Sequence, residues 1–465
     1  MRIHFLGKFA IARLGVVCLA LSMANAQQSQ FTGSVPTGRA SSTPLRLTLD
    51  DAINRALKAN LGLLVSETAS DSARGQRIRA LSALLPQVYA QVTETAEQLN
   101  LKTFGFPTNA QGFQIPTIVG PFQYIDVRAY MQWAAYDYNL RKTYQSARQS
   151  ERAAQLSVQD ARDIVVQAAA NGYFLIIADA SRVKSIQAQV ETAQALYDQA
   201  VDQQRAGTAA GIDVLRAQVQ LKQQQQSLLA QTNTYEKDKL ALGRIIGLPP
   251  GQDFIIAEEV PFAPLTSITQ SAALEAAMAQ RRDYQSSKAQ VRAAEDAVKG
   301  ARGERYPTAQ INGDYGVIGP TLDNSHGTFT FVASARINVF DAGRIEGDIV
   351  QAKATLKQRQ DELADLGAQI DVEVRDALLD LRTAADQVAV ARDNLALANA
   401  TLVQSRDRFL AGVTDNIEVV QAQQSVASAN DSLIAALYSH NVAKAELARA
   451  LGGAEQNMRK FIGGK

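Results

Sequence analysis

Side chains able to act as nucleophiles, proton carriers or metal ligands are scarce in this 465-residue chain, which holds three histidines and one cysteine. Cys18 and His4 fall in the first 26 residues, so only His326 and His440 remain as imidazoles beyond that segment, with no thiol. Two isolated imidazoles are too few for a His-rich site, and without cysteine there is neither a thiolate nor a disulfide. No phosphate-cradling glycine loop and no dinucleotide fingerprint occurs. Carboxylates are plentiful, but they lie on helix faces where solvation is their ordinary state. The expected chemistry is that of fixed charges and hydrogen bonds. No enzyme activity, catalytic residue, cofactor or metal is expected. One charged motif recurs: Gly207 to Asp213, G-x-x-x-x-I-D, returns as Gly412 to Glu418, G-x-x-x-x-I-E, 205 residues later.

That recurrence belongs to a larger duplication. Thr48 matches Thr269, and Leu85-Pro86 matches Tyr306-Pro307, at an offset of 221. Tyr136-Asp137 matches Phe340-Asp341 at 204, and Ala217-Gln218, Leu242 and Gly247 match Ala422-Gln423, Leu447 and Gly452 at 205. The change of offset puts about 16 extra residues between Pro86 and Asp137.

The elements that carry the motif are set by proline. All twelve prolines avoid 122–248 and the chain after 320. Proline breaks helix interiors, so these stretches can hold unusually long helices. They are rich in Ala, Gln, Leu and Arg, which favour helix. Helices are expected at about 138–205 and 342–411, each on the order of 100 Å long at 1.5 Å per residue. In the second, Ile345, Ile349, Ala352, Leu356, Leu363, Leu366 and Ile370 keep the spacing of a coiled-coil seam, interrupted by Arg359.

Between the helices the period drops to two. Ile125, Val127, Ala129, Met131, Trp133 and Ala135 alternate with Tyr124, Asp126, Arg128, Tyr130, Gln132 and Ala134. Phe329, Phe331, Ala333, Ala335, Ile337 and Val339 alternate with mainly polar residues in the second half. Runs of this length suit tilted membrane strands. Trp133, Tyr136 and Phe340 are candidate interfacial aromatics. Four such strands cannot close a barrel, and open edges are not tolerated in lipid, so spanning strands require oligomerisation.

Residues 1–26 read as a secretory signal: Arg2, Lys8 and Arg13, an apolar run, then Ala24-Asn25-Ala26. Beyond it no run of about 18 apolar residues occurs, so no transmembrane helix is expected. Taking those three from 47 basic residues leaves 44 against 46 acidic ones, a formal charge of −2 that suggests no nucleic-acid partner. The expected organisation follows. A flexible leader spans 27–44. A first repeat spans 45–247, with strands near 86–96 and 124–136 and helices near 50–82, 138–205 and 213–246. A linker covers 248–266. A second repeat spans 267–452, with strands near 308–318 and 328–340 and helices near 270–303, 342–411 and 415–452. A loose tail covers 453–465, and an outer loop lies near 99–121.

Taken together, the duplicated helix–hairpin–helix plan, the junction Phe340-Asp341-Ala342-Gly343-Arg344 and the paired Gly207 and Gly412 turns resemble a TolC-type outer-membrane factor over nearly the whole chain beyond the signal. The resemblance implies a mainly α fold with a membrane β-barrel portion: a homotrimer whose twelve-stranded barrel continues as a coiled-coil α-helical tunnel through the periplasm. It implies an outer-membrane channel of a tripartite efflux or type I secretion system, set in outer-membrane lipid. The partners would be a periplasmic adaptor and an inner-membrane pump of RND, ABC or MFS type. By position it makes Asp213, Arg216, Phe409, Thr414, Glu418 and Gln421 a periplasmic gate. Gly207, Thr208, Gly412 and Val413 become adaptor-docking tips. Phe409 and Thr414 lack the hydroxyl and the cation of the family's lock, so that lock is not copied here. The alternative is a periplasmic adaptor with coiled-coil hairpins, which would carry many short strands flanking one hairpin. This chain has two hairpins and two strand pairs.

Overall fold

The computed structural model describes residues 30–105, 109–110, 113–114, 116–208, 210–257, 262–263, 268–411, 413–414 and 416–462. The expected export signal lies outside them. The described chain forms two compact units.

One unit comprises Asp71–Ala153 and Ser287–Leu363. Its centre is an antiparallel sheet in the order β2-β5-β7-β8, built from β2 (Gln87–Asn100), β5 (Ile118–Tyr136), β7 (Thr308–Gly319) and β8 (His326–Arg336). The short pair β3 (Asn109–Ala110) and β4 (Phe113–Gln114) lies beyond the first hairpin. The first hairpin is longer than expected: Asn100 pairs with Ile118, which narrows the outer loop. β8 stops four residues before the expected 340, because its ladder ends at Thr308 opposite Arg336. Pro307, next in line, has no N–H to continue it. Ile337, Val339 and Phe340 therefore lie outside the sheet.

Long helices begin where the strands end. α3 (Tyr138–Arg205) starts after Asp137, whose Oδ1 accepts from the Leu140 N–H at 3.0 Å. α7 (Arg344–Leu410) starts after Asp341, which accepts from the N–H groups of Gly343 (3.2 Å) and Ile345 (2.9 Å). Those backbone donors hold the Asp341 carboxyl below its ordinary range. Ala342 and Gly343 both take positive φ at this corner, 55° and 87°. Glu304, near the end of α6 (Arg282–Gly303), then accepts from Asn139 at 3.0 Å and from Arg344 at 2.8 Å. One carboxylate thus ties the starts of both long helices. The seam residues of α7, from Ile345 through Arg359 to Ile370, are all buried or half-buried.

The other unit comprises the chain up to Ser70, Ala154–Ser286 and Ala364 onward. It contains the remainder of α3 and α7, with α1 (Leu49–Ala59), α4 (Gly211–Ile245), α5 (Gln270–Gln280), α8 (Asn416–Ala450) and α9 (Ala454–Ile462). Its two main cores are the duplicated parts. Ala52 and Ala56 of α1, Val166, Ala170 and Tyr173 of α3, and Leu242 and Ile246 pack in one. Their counterparts Ala273, Ala277, Ile370, Val374, Ala377, Leu447 and Leu451 pack in the other. Burying each large aliphatic side chain contributes about 1.5–3 kcal/mol.

Several expectations require correction. The helix expected over 50–82 breaks at Asn60, giving α1 and α2 (Leu61–Ser82), and that over 270–303 breaks at Arg281, giving α5 and α6. Both residues are extended, with ψ near 127°, and they are equivalent at offset 221. Asn60 is fully buried; its Oδ1 accepts from Gly62 N at 2.9 Å and its Nδ2 donates to Phe31 O at 2.6 Å. Arg281 pairs with Asp283 at 2.6 Å and with Glu373. At the first break the Asn60 side chain replaces lost helix hydrogen bonds; at the second, Asp283 Oδ1 accepts from Tyr284 N at 2.8 Å and Gln285 Nε2 donates to Ala279 O at 2.6 Å.

The leader is also tied down. Val35 N donates to Ala59 O at 2.8 Å and Thr37 N to Gly247 O at 3.3 Å. The linker contributes β6 (Phe254–Ile256), parallel to β1 (Leu45–Leu47). The tail forms α9, whose Ala454 and Met458 are buried and whose first N–H groups meet Asp163. Finally, one 18-residue window of α3 reaches a mean hydropathy of 1.4 and is apolar enough to cross a membrane by length and composition. Gln167 and Asn171 interrupt the run, and half of the window is buried inside the protein.

Candidate functional site

The first helical turn, after Arg205, is a Schellman motif. Thr208 N donates to Gln203 O at 2.9 Å and Gly207 N to Gln204 O at 3.0 Å. Gly207 sits at φ 71° with open space around it, so its backbone is accessible. The second turn repeats the outer bond: Val413 N donates to Arg408 O at 3.0 Å. Gly412 itself lies outside the described residues.

Each turn is followed by a carboxylate in the first turn of the returning helix, Asp213 in α4 and Glu418 in α8. Acids there face the helix N-terminus, which favours negative charge. The two then find different partners. Asp213 Oδ1 lies 3.5 Å from Arg216 Nη1 on the same helix. Glu418 reaches back across its turn. It accepts from Thr414 Oγ1 and, at 3.4 Å, from Ser405 Oγ, and lies 3.7 Å from Arg408 Nη1. Ser405 is buried. Phe409 is half-buried and lines a cleft with Leu196, Arg406 and Val419. Arg216 and Gln421 meet on the wall of a second cleft of about 340 Å³, among Ile212, Leu215, Val219, Ile417 and Val420.

Ser405 and Arg408 were not singled out from sequence. Their signal lay in the repeat: at offset 205 they answer to Ala200 and Gln203, and Thr414 answers to Ala209. The clasp on Glu418 therefore has no counterpart around Asp213. Among the described residues no cluster of His, Cys, Asp and Glu is arranged for a metal ion.

The sheet presents two contrasting faces. In register, Ala90, Ala129, Tyr315 and Phe329 form one row, and Val92, Val127, Val317 and Gly327 the next row on the same face. Val88, Val92, Phe329 and Phe331 on it are 65–77% exposed, so none of the described residues covers them. Opposite, Tyr89, Tyr130, Asp314 and Thr330 form a row, with the two tyrosine rings stacked at 5.1 Å. Arg128, one row on, donates from Nε to Asp126 at 3.2 Å, from Nη1 to Asp314 and from Nη2 to Thr328 Oγ1 at 2.8 Å. Trp133 Nε1 donates to Leu84 O at 3.1 Å, and Tyr136 and Phe340 are exposed. The outer edges of β2 and β8 pair with no other described strand.

Residues 273–453 match the family model described as outer membrane efflux protein. The probable efflux pump outer membrane protein TtgC of Pseudomonas putida is 25% identical over 327 residues, 67% of this chain and 64% of TtgC. The chain thus spans just under two thirds of that relative's length. The cation efflux system protein CusC of Escherichia coli is 25% identical over 178 residues, 37% of this chain and 39% of CusC. The fold matches the CmeC outer membrane channel of Campylobacter jejuni with a TM-score of 0.75 at 16% identity, covering 93% of this chain and 95% of CmeC. Duplicated helices, two-faced sheet and sequence kinship converge: residues 273–453 match the outer membrane efflux protein family, and the chain has a TolC-type fold.

Proposed function

We propose that this chain is one subunit of an outer-membrane channel that passively conducts substrates outward, with its helical portion in the periplasm. The observation that carries the reading is the four-stranded sheet with one uncovered apolar face, one polar face and two unpaired edges. An unpaired backbone group in hydrocarbon costs several kcal/mol, so edges immersed in lipid must find partners. Three copies, each pairing its β8 edge with a neighbour's β2, would close a twelve-stranded barrel with the polar face inside. The adaptor reading provides no role for a sheet of this kind.

In this assembly Asp213, Arg216, Phe409, Thr414, Glu418 and Gln421 form the periplasmic gate. The turns at Gly207, Thr208, Gly412 and Val413 receive a periplasmic adaptor, which links the channel to an inner-membrane pump of RND, ABC or MFS type. Trp133, Tyr136 and Phe340 sit towards the lipid interface. The name of CusC specifies cations and that of the TtgC above specifies no cargo; we assign the choice of cargo to pump and adaptor. The test is to fractionate cells, purify the protein in detergent, and measure its mass and its conductance in planar bilayers. An outer-membrane trimer with ion conductance is expected. A monomer recovered from the periplasm without conductance would overturn the reading.

A further inference from the structure

We propose that Asp126, Arg128 and Asp314 form a fixed-charge filter inside the barrel that favours permeant cations, with Arg128 also bracing the two hairpins together; this rests on the channel reading above.

Three observations carry it. First, register sets the face. Asp126, Arg128 and Asp314 occupy the polar side of the sheet, opposite Val92, Val127, Tyr315 and Phe329. An arginine facing lipid near the bilayer midplane costs about 2–4 kcal/mol, so this side belongs to the lumen.

Second, the cation is fully engaged. Its three nitrogens reach Asp126, Asp314 and Thr328, residues on β5, β7 and β8. The guanidinium crosses from the first hairpin to the second over Gly316. A Cβ there would sit 2.7 Å from Arg128 Cα and 2.8 Å from Arg128 Cβ, so a side chain at 316 would fill the path. The side chains of Arg128, Asp126 and Asp314 are only 12%, 20% and 17% exposed, which fixes their geometry.

Third, the charges do not balance. Two carboxylates share one guanidinium, and a carboxylate pair offers more acceptor positions than one guanidinium fills. The other ionised groups in register on this face are Glu97 and Arg336, opposite in sign and at opposite ends of the sheet, so they cancel in its net charge. Each subunit therefore leaves one uncompensated negative charge, and threefold assembly repeats it around the lumen. A ring of carboxylates attracts cations and repels anions.

The test is the reversal potential of the purified channel under a KCl gradient near 0.01 M, where the screening length is about 30 Å, and again near 1 M, where it is about 3 Å. Wild type should prefer K⁺ at low salt. Asp126→Asn keeps the Arg128–Asp314–Thr328 brace and makes the face neutral, so the reversal potential should move towards zero. Asp314→Asn should do the same. Arg128→Gln leaves both carboxylates uncovered and should move it the other way. All three shifts should vanish near 1 M. A brace without a filtering role would change trimer yield or conductance with no opposed shifts. Unaltered potentials in conducting Asp126→Asn and Asp314→Asn channels, or shifts in the same direction for the aspartate and arginine variants, would overturn the proposal while leaving the channel reading intact. Absence of conductance from the wild type would overturn both.

Discussion

Replacing Glu418 by glutamine tests whether the clasp across the second turn holds the proposed gate shut. Glutamine keeps the shape and an acceptor for the Thr414 and Ser405 hydroxyls but removes the charge that faces Arg408. The Glu418 and Arg408 side chains are 35% and 56% exposed, so solvent screens the pair heavily. Partly exposed pairs contribute about 0.2–1 kcal/mol. Taking roughly 0.5 kcal/mol for each of three subunits that open together gives about 1.5 kcal/mol, close to a tenfold change in the ratio of open to shut channels. Single-channel recording in planar bilayers reads that ratio directly. Glu418→Gln should raise open probability, Arg408→Gln should raise it by a similar factor, and the double variant should add little to either. High salt should move the wild type in the same direction. Glu418→Ala also removes the hydrogen bond to buried Ser405, worth about 0.5–1.5 kcal/mol, and should open the channel further. If Glu418→Gln and Glu418→Ala both gate as wild type does, the clasp is only a helix-start stabiliser and the gate lies elsewhere.

Two further outcomes are expected. Lys444 is 1% exposed, and burial lowers its pKa from 10.5 to about 8, so holding it charged at neutral pH weakens the fold. At about 1.4 kcal/mol per unit, Lys444→Met should stabilise the protein by about 2–3 kcal/mol at pH 7. The unfolded chain binds the extra proton between about pH 8 and 10.5. Wild-type stability should therefore rise through that window and the advantage of methionine should fade. Thermal unfolding in detergent at both ends of the window checks this, and equal midpoints at pH 7 would refute it. At the first turn, Gly207→Trp should abolish export in cells yet leave trimers intact by native electrophoresis: the new side chain meets open space, and the strain of a non-glycine residue at φ 71°, about 1–2 kcal/mol, is confined to the turn. Retained export would remove the docking role.

Long-range architecture was legible because it rests on repeated, local signals. Proline placement bounds α3 and α7, and aspartates 137 and 341 mark where those helices start, each bonding the N–H groups after it. Period-two alternation identified the two faces of β5 because lipid-type and water-type surfaces demand opposite side chains. The breaks at Asn60 and Arg281 were not legible. Neither residue is proline or glycine, and each is held extended by partners distant in sequence: Phe31 for Asn60, Glu373 for Arg281. The end of β8 was misjudged for a related reason. Its alternation continues through Ile337 and Val339, but the ladder is limited by its partner strand, where Pro307 precedes Thr308. A strand's own pattern does not say where its neighbour runs out.

The duplication also separates what the fold requires from what each half does. Cores that build the helix layers recur almost position for position, with Val166 and Ala170 answered by Ile370 and Val374. Both turns close with the same backbone bond, Thr208 to Gln203 and Val413 to Arg408. The side chains around those turns do not recur. Arg216 answers to Gln421, Gln203 to Arg408 and Ala200 to Ser405. Each half thus pairs the carboxylate after its turn with an arginine, but the first does so along a helix and the second across the turn. An arginine along the helix stabilises that helix alone. An arginine across the turn couples the end of α7 to the start of α8, so it resists any change of angle between them. In the proposed gate the second half is therefore where opening would meet electrostatic resistance, and positions at which two similar repeats differ in charge are the ones to examine first in a duplicated chain.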